Sequence, residues 1–198
     1  MEEKINKSRR RFLIGSTTAL GVVGGVGATV PFLCSWQPSD ATRASGAPVQ
    51  VDVSKLEEGQ QVTIAWQGKP VWVLRRTAQT INDLPKLNAQ LVDPFSSVDQ
   101  QPAYADNLYR SIKPEYLVLV GICTHLGCSP NYQPNSAADD NAQWYGGYIC
   151  PCHGSRFDLA GRVYKHYPAP TNLVVPPYYF KSDRVIVIGI GQNAKGEV

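Results

Sequence analysis

The chain has 198 residues and a formal net charge of +3. That length suits one ordinary domain, or a smaller one with appendages, and it suffices to bury a core. Five positive charges (Lys4, Lys7, Arg9, Arg10 and Arg11) precede residue 12 and no basic–aromatic stripe follows, which excludes a nucleic-acid partner.

The first eleven residues form a basic flank. From Phe12 to Ser39 there is no charged residue. About 20 apolar residues cross a bilayer core, so residues 12–36 are expected to be a single transmembrane helix. "SRRRFLI", starting at Ser8, matches the twin-arginine export pattern, with Ile14 where that pattern usually carries lysine. No small-x-small cleavage site closes the run, so the segment reads as a retained anchor. The basic flank then stays in the cytoplasm, and the rest lies on the periplasmic side of a bacterial inner membrane. Cys34 reads as a small apolar residue of the span. Residues 37–48, "QPSDATRASGAP", show no apolar period and read as a flexible hinge.

Residues 49–198 read as a mostly antiparallel β domain. With 17 Gly, 15 Pro and one Met, the composition favours strands and turns. "VQVDV" alternates; "QQVTIAW" and "PVWVLRR" flank a turn at "QGK". "TAQTINDL" is a short helix capped by Thr77. "YLVLVGI" (116–122) is a buried strand. Residues 129–143 are polar and read as a surface loop. "WYGGYI" and "RVIVIGI" are further strands, and the terminal "GQNAKGEV" is expected to fray.

Two boxes carry the chemistry: "CTHLGC" supplies Cys123, His125 and Cys128, and "CPCHGS" supplies Cys150, Cys152 and His153. Four of the five cysteines and two of the three histidines fall in them, so they read as one site. Three uses of these six side chains stand open. One is a tetrahedral zinc held by three Cys and one His, which leaves two ligands idle. Another is a pair of disulfides with bystander histidines. The third gives one Cys and one His from each box to a [2Fe–2S] centre and joins the remaining two cysteines, which suits an oxidising compartment. His166 stands apart and reads as a loop residue.

The boxes resemble the Rieske iron–sulfur motif, in particular that of the Rieske subunit of the cytochrome bc1 complex. The resemblance extends to the anchor, the hinge and "YPAPTNL" (167–173), which is similar to the family's proline loop. It implies a mostly β fold, an antiparallel Rieske-type sandwich with a cluster-binding part at about residues 122–170, and one [2Fe–2S] cluster. It implies that Cys123 and Cys150 ligate one iron, that His125 and His153 ligate the other, and that Cys128 and Cys152 form a disulfide. Gly127 and Gly154 would let the backbone approach the cluster, and Ser155 would donate to a sulfide. Leu126 and Pro168 would touch a partner. Phe157 stands where many members have a tyrosine that bonds a ligating sulfur, so a lower potential is expected.

The function implied is electron transfer within a dimeric quinol–cytochrome c reductase. One electron passes from ubiquinol at cytochrome b to cytochrome c1, with His153 and His125 as the catalytic histidines. Imidazole ligands remove negative charge and raise the potential toward about +300 mV. Their outward nitrogens can hold or release a proton as the cluster changes charge. Two other readings are the Rieske subunit of another periplasmic oxidoreductase, such as arsenite oxidase, and a membrane-anchored zinc module.

Overall fold

The computed structural model describes residues 6–39, 46–134 and 144–191. The chain divides into two compact units, up to Ala44 and from Ser45 onward. Within the expected hinge, residues 40–45 lie outside the described residues, as do 192–198 of the terminal segment.

The first unit is one helix, α1 (Lys7–Cys34). Its 28 residues span about 42 Å at 1.5 Å each, more than a hydrocarbon core needs. It begins at Lys7 rather than Phe12 because the Asn6 side chain accepts a hydrogen bond from the Arg9 N–H, and lysine and arginine are good helix formers. None of its described side chains is buried. It is long and apolar enough to cross a membrane.

Among the described residues the second unit holds nine strands in three antiparallel sheets of three. β2 (Gln61–Trp66), β3 (Lys69–Arg75) and β4 (Tyr116–Val120) form a meander, with Thr63 opposite Trp72 and Trp72 opposite Leu119. β3 is the middle strand and four of its residues in succession are buried, as expected when both faces are covered. β1 (Val49–Asp52), β9 (Val185–Ile188) and β8 (Tyr178–Ser182) form the second sheet, in that order. The third contains β5 (Asn131–Gln133), β6 (Gly147–Ile149) and β7 (Arg156–Phe157). Helix α2 (Ala78–Asp83) is capped by Thr77, whose hydroxyl accepts from the Thr80 N–H, as expected.

The polar stretch at 129–143 is not wholly a loop. Asn131–Gln133 pairs with β6, Tyr132 lies opposite Tyr148, and 135–143 lies outside the described residues. The cause is Tyr132: its ring packs 5.6 Å from that of Tyr148, and its hydroxyl donates to the Gly59 carbonyl at 2.9 Å. One aromatic residue anchors a strand that its neighbours conceal.

The segment between β3 and β4 is long and has little regular structure. It is ordered by three buried arginines. Arg76 donates to the carbonyls of Pro114, Tyr109 and Leu159 and to the Ser111 hydroxyl. Arg110 donates to the Ala160 carbonyl and to the Gln101 side chain. Arg162 pairs with Asp158 and reaches the carbonyls of Leu84 and Pro94. These guanidiniums replace the missing ladder by satisfying main-chain acceptors from within.

Candidate metal centre

Each box sits on a different sheet. Cys123 follows β4, whereas Cys150 follows β6 and precedes β7. The two loops close in the same way. The Cys123 N–H donates to the Cys128 carbonyl at 2.8 Å, and the Gly127 N–H returns to the Cys123 carbonyl at 3.0 Å. The Cys150 N–H donates to the Ser155 carbonyl at 2.8 Å, and the Gly154 N–H returns to the Cys150 carbonyl at 2.9 Å. Gly127 (φ 86°) and Gly154 (φ 72°) are left-handed, which a side chain would resist.

The fold sorts the donors by depth. Cys123 and Cys150 are free thiols and almost wholly buried. His125 is half-buried, and His153 and Leu126 are exposed. The imidazole rings lie 4.8 Å apart and nearly perpendicular. Cys128 and Cys152 are joined, with an S–S distance of 2.08 Å and Cα atoms 6.6 Å apart. The sulfurs of Cys128, Cys150 and Cys152 all lie within 4.8 Å of one another, but two of them are spent in the disulfide. Within the boxes only two free thiols remain, too few for the zinc site with three thiolates.

Burial pushes the Cys123 thiol up; the His125 N–H pulls it down, Cys150 pushes it up further, and the Ser155 hydroxyl pulls it down. Donors aimed at a sulfur favour its thiolate, the form that binds metal. The His125 Nδ1 is buried and has no hydrogen-bond partner among the described residues.

A third loop closes the side. The Ala169 N–H donates to the Ser155 hydroxyl at 3.0 Å, and the Thr124 hydroxyl donates to the Thr171 carbonyl at 2.7 Å. The Asn172 side chain accepts from the Val163 N–H and donates to the Asp93 carbonyl. Pro168 is exposed beside them. Sequence reasoning passed over Thr124 and Asn172. Thr124 stands between two expected ligands, which is the one signal it offered. His166 is exposed and is not among these contacts, as expected.

Residues 47–178 match the family described as "Rieske [2Fe-2S] domain". The chain belongs to the Rieske family. Its donor set fits the [2Fe–2S] cluster of that family: two free thiols, two imidazoles at one tip, and a buried ring nitrogen without a protein partner. Residues 1–39 match a second family, described as "Ubiquitinol-cytochrome C reductase Fe-S subunit TAT signal". The Rieske chain is 54% identical to the "Ubiquinol-cytochrome c reductase iron-sulfur subunit" of Allochromatium vinosum, over 93% of this chain and 90% of that one. It is 46% identical to the protein of the same description from Rhodospirillum rubrum, over 92% of each. Among solved structures it is similar to "Hyperthermophilic respiratory Complex III", with a TM-score of 0.48 and 26% identity over 86% of this chain and 96% of that one.

Proposed function

We propose that this chain is the electron-transferring iron–sulfur subunit of a quinol–cytochrome c reductase. It takes one electron from ubiquinol held at a cytochrome b partner and delivers it to a cytochrome c1 partner. The complex is dimeric and sits in the bacterial inner membrane, with α1 as anchor and the β domain in the periplasm. One observation carries the reading. Two buried free thiols and two imidazoles meet at a tip whose other two sulfurs are already joined. The names of the relatives, ubiquinol-cytochrome c reductase iron-sulfur subunits, support it and disfavour an arsenite-oxidase role.

In this reading Cys123 and Cys150 hold one iron, and His125 and His153 hold the other. When bound, such a cluster supplies a one-electron acceptor with a potential up to about +300 mV, high enough to oxidise a weakly reducing quinol. His153, exposed at the tip, accepts a hydrogen bond from the quinol hydroxyl and takes up its proton. His125 stands edge-on beside it as the second catalytic histidine. Gly127 and Gly154 keep the loops close to the sulfurs, and Ser155 donates toward them. Leu126, 71% exposed, and Pro168 make the partner contact. Residues 37–48 are the hinge between anchor and head.

The test is electron paramagnetic resonance of reduced membranes containing the chain. A rhombic [2Fe–2S] signal that shifts with a quinol-site inhibitor is expected, with a midpoint that falls as pH rises. Material without iron and acid-labile sulfide would overturn the cofactor assignment. A signal indifferent to the inhibitor would overturn the quinol role. Prolines introduced at residues 37–48 should slow turnover and leave the signal unchanged.

A further inference from the structure

Among the described residues of the head, the large hydrophobic side chains that stand exposed are Val62, Val92, Phe95, Val98, Leu126 and Val174. They are not scattered. Leu126 is on the tip loop, Val174 follows the proline loop, and three fall within residues 92–98. Val62 alone lies elsewhere, on β2. Phe95 is 72% exposed, as open to solvent as Leu126. Isolated apolar residues are ordinary on a surface, whereas a grouped set marks a contact.

The segments that carry the group are bonded to one another. The Thr124 hydroxyl ties the tip loop to the Thr171 carbonyl, and the Thr171 hydroxyl accepts from the Gln100 side chain at 2.9 Å. The Val175 N–H donates to the Gln100 carbonyl at 2.9 Å, and the Asn172 side chain donates to the Asp93 carbonyl at 3.0 Å. Residues 92–98 therefore flank the proline loop on the side away from the tip loop, and the apolar set continues from Leu126 across it.

Phe95 is held out on a braced turn. The Asp93 carboxylate accepts from the N–H groups of Ser97 at 2.9 Å and Val98 at 3.0 Å. The Gln101 side chain donates to the carbonyls of Ser96 and Val98, and the buried Arg162 donates to that of Pro94. Ser96 is left-handed (φ 55°), a conformation that a non-glycine residue keeps only when its surroundings impose it. A turn fixed in advance loses little freedom when a partner covers it, so an exposed ring there is well placed as a binding anchor.

The turn also lacks free charge. Pro94 to Val98 carries no charged residue, and the Asp93 carboxylate is spent on two N–H groups. Such a surface suits an apolar pocket rather than charge-steered docking. Resting on the function proposed above, which seats the Leu126 tip at cytochrome b, we infer that Phe95 and Val98 form a second anchor that docks the head on that same subunit, in an apolar pocket beside the one that receives the tip.

The test is photo-cross-linking in membranes that contain the assembled complex. The photoreactive residue p-benzoylphenylalanine replaces Phe95, Leu126 or Val62 in turn, and mass spectrometry identifies the captured peptide. Phe95 and Leu126 should both capture cytochrome b, and Val62 should not. Capture from Leu126 without Phe95 overturns the second anchor and leaves the electron-transfer role standing. Capture from neither overturns the docking of the tip as well. Capture at Phe95 of cytochrome c1, a second copy of this chain or lipid alone, or equal capture from Val62, also overturns the anchor. Phe95→Ser, with the visible spectrum showing an intact cluster, should lower the Leu126 cross-link yield severalfold, and an unchanged yield overturns the anchoring role.

Discussion

Asp158 and Arg162 face each other at 2.7 Å with neither side chain exposed to solvent. The pair is knitted in on both sides. One carboxylate oxygen accepts from the N–H groups of Ala160 and Arg162, and the guanidinium also donates to Asn88, Pro94 and Leu84. Arg76 and Arg110 lie buried nearby, and among the described residues neither has a carboxylate in hydrogen-bond contact. Removing one member of a buried pair leaves a stranded charge and costs about 3–5 kcal/mol. Asp158→Asn should lower the denaturant stability of the head by that amount. Replacing both residues with apolar ones of similar volume should cost less. A loss below about 1 kcal/mol in the single variant would mean that the site is not dry.

Trp72 lies against the backbone of Gly121, so that a methyl group there would overlap three atoms of the indole. The Trp72 ring also stacks on Tyr148 at 4.6 Å, nearly parallel. The indole is buried and held by that stack, and Gly121 stands two residues before Cys123. Overpacking of this kind costs about 1–3 kcal/mol. Gly121→Ala should therefore lower the melting temperature by roughly 2–12 °C, at about 2–4 °C per kcal/mol. It should also speed loss of the cluster colour on warming. A variant that melts with the parent would show that the loop yields more easily than its packing implies.

The disulfide closes a loop with a sequence separation of 24. Loop-closure entropy assigns such a link about 3 kcal/mol. Paired Cys128→Ser and Cys152→Ser substitutions should lower stability by about that amount. The larger effect should fall on the cluster, because the two ligand loops lose their covalent tie. Iron content after purification at neutral pH is the check. Full retention would show that the hydrogen-bonded loops suffice alone.

Phe157 is wholly buried, opposite Tyr148 in the ladder and bridged to Val163. A hydroxyl added there, if it donates to a ligating sulfur, adds about 0.5–1.5 kcal/mol in favour of the reduced form. At 59 mV per tenfold for one electron, Phe157→Tyr should raise the midpoint by about 20–65 mV. An unchanged midpoint in a variant with intact spectrum refutes the idea that this position tunes the potential.

Alkaline pH should unfold the head more steeply than a single group allows. Burial raises the phenols of Tyr148, Tyr164 and Tyr178 well above their ordinary value. Below pH about 10 both folded and unfolded chains keep these protons, and stability is unaffected. Above it the unfolded chain releases them and the folded chain does not, so stability falls by about 1.4 kcal/mol per pH unit for each tyrosine. Burial also lowers Arg76 and Arg110 to about 10, which acts with the opposite sign. Both guanidiniums donate to main-chain carbonyls, and those bonds hold the charged form, so the tyrosines dominate. Unfolding free energies between pH 9 and 11 give the slope, and Tyr148→Phe should flatten it by one proton.

The candidate iron site was legible because its residue types stand in two short boxes. Cys123, His125, Cys150 and His153 announce themselves by type and spacing, and the alternating runs at Gln61–Trp66 and Lys69–Arg75 announce a hairpin. The supports beneath were not legible. Arginine usually lies at the surface, so nothing in "RRT" or "YRS" marks Arg76 or Arg110 as buried. Their acceptors, such as the carbonyls of Leu159 and Ala160, lie more than forty positions away. Asn131–Gln133 was hidden for the converse reason, since a polar composition masks one anchoring tyrosine.

The two boxes belong to sheets that share no ladder hydrogen bond, β2–β3–β4 for one and β5–β6–β7 for the other. Side-chain packing such as the Trp72–Tyr148 stack joins the two sheets, and any relative sliding would stretch the gap between Cys123 and Cys150. The Cys128–Cys152 bond rivets the sheets at the point where the donors meet. In the role proposed above, strain from a docking partner would be carried past the metal site through sulfur and backbone, so that the head could be pulled between stations without prising its metal loose.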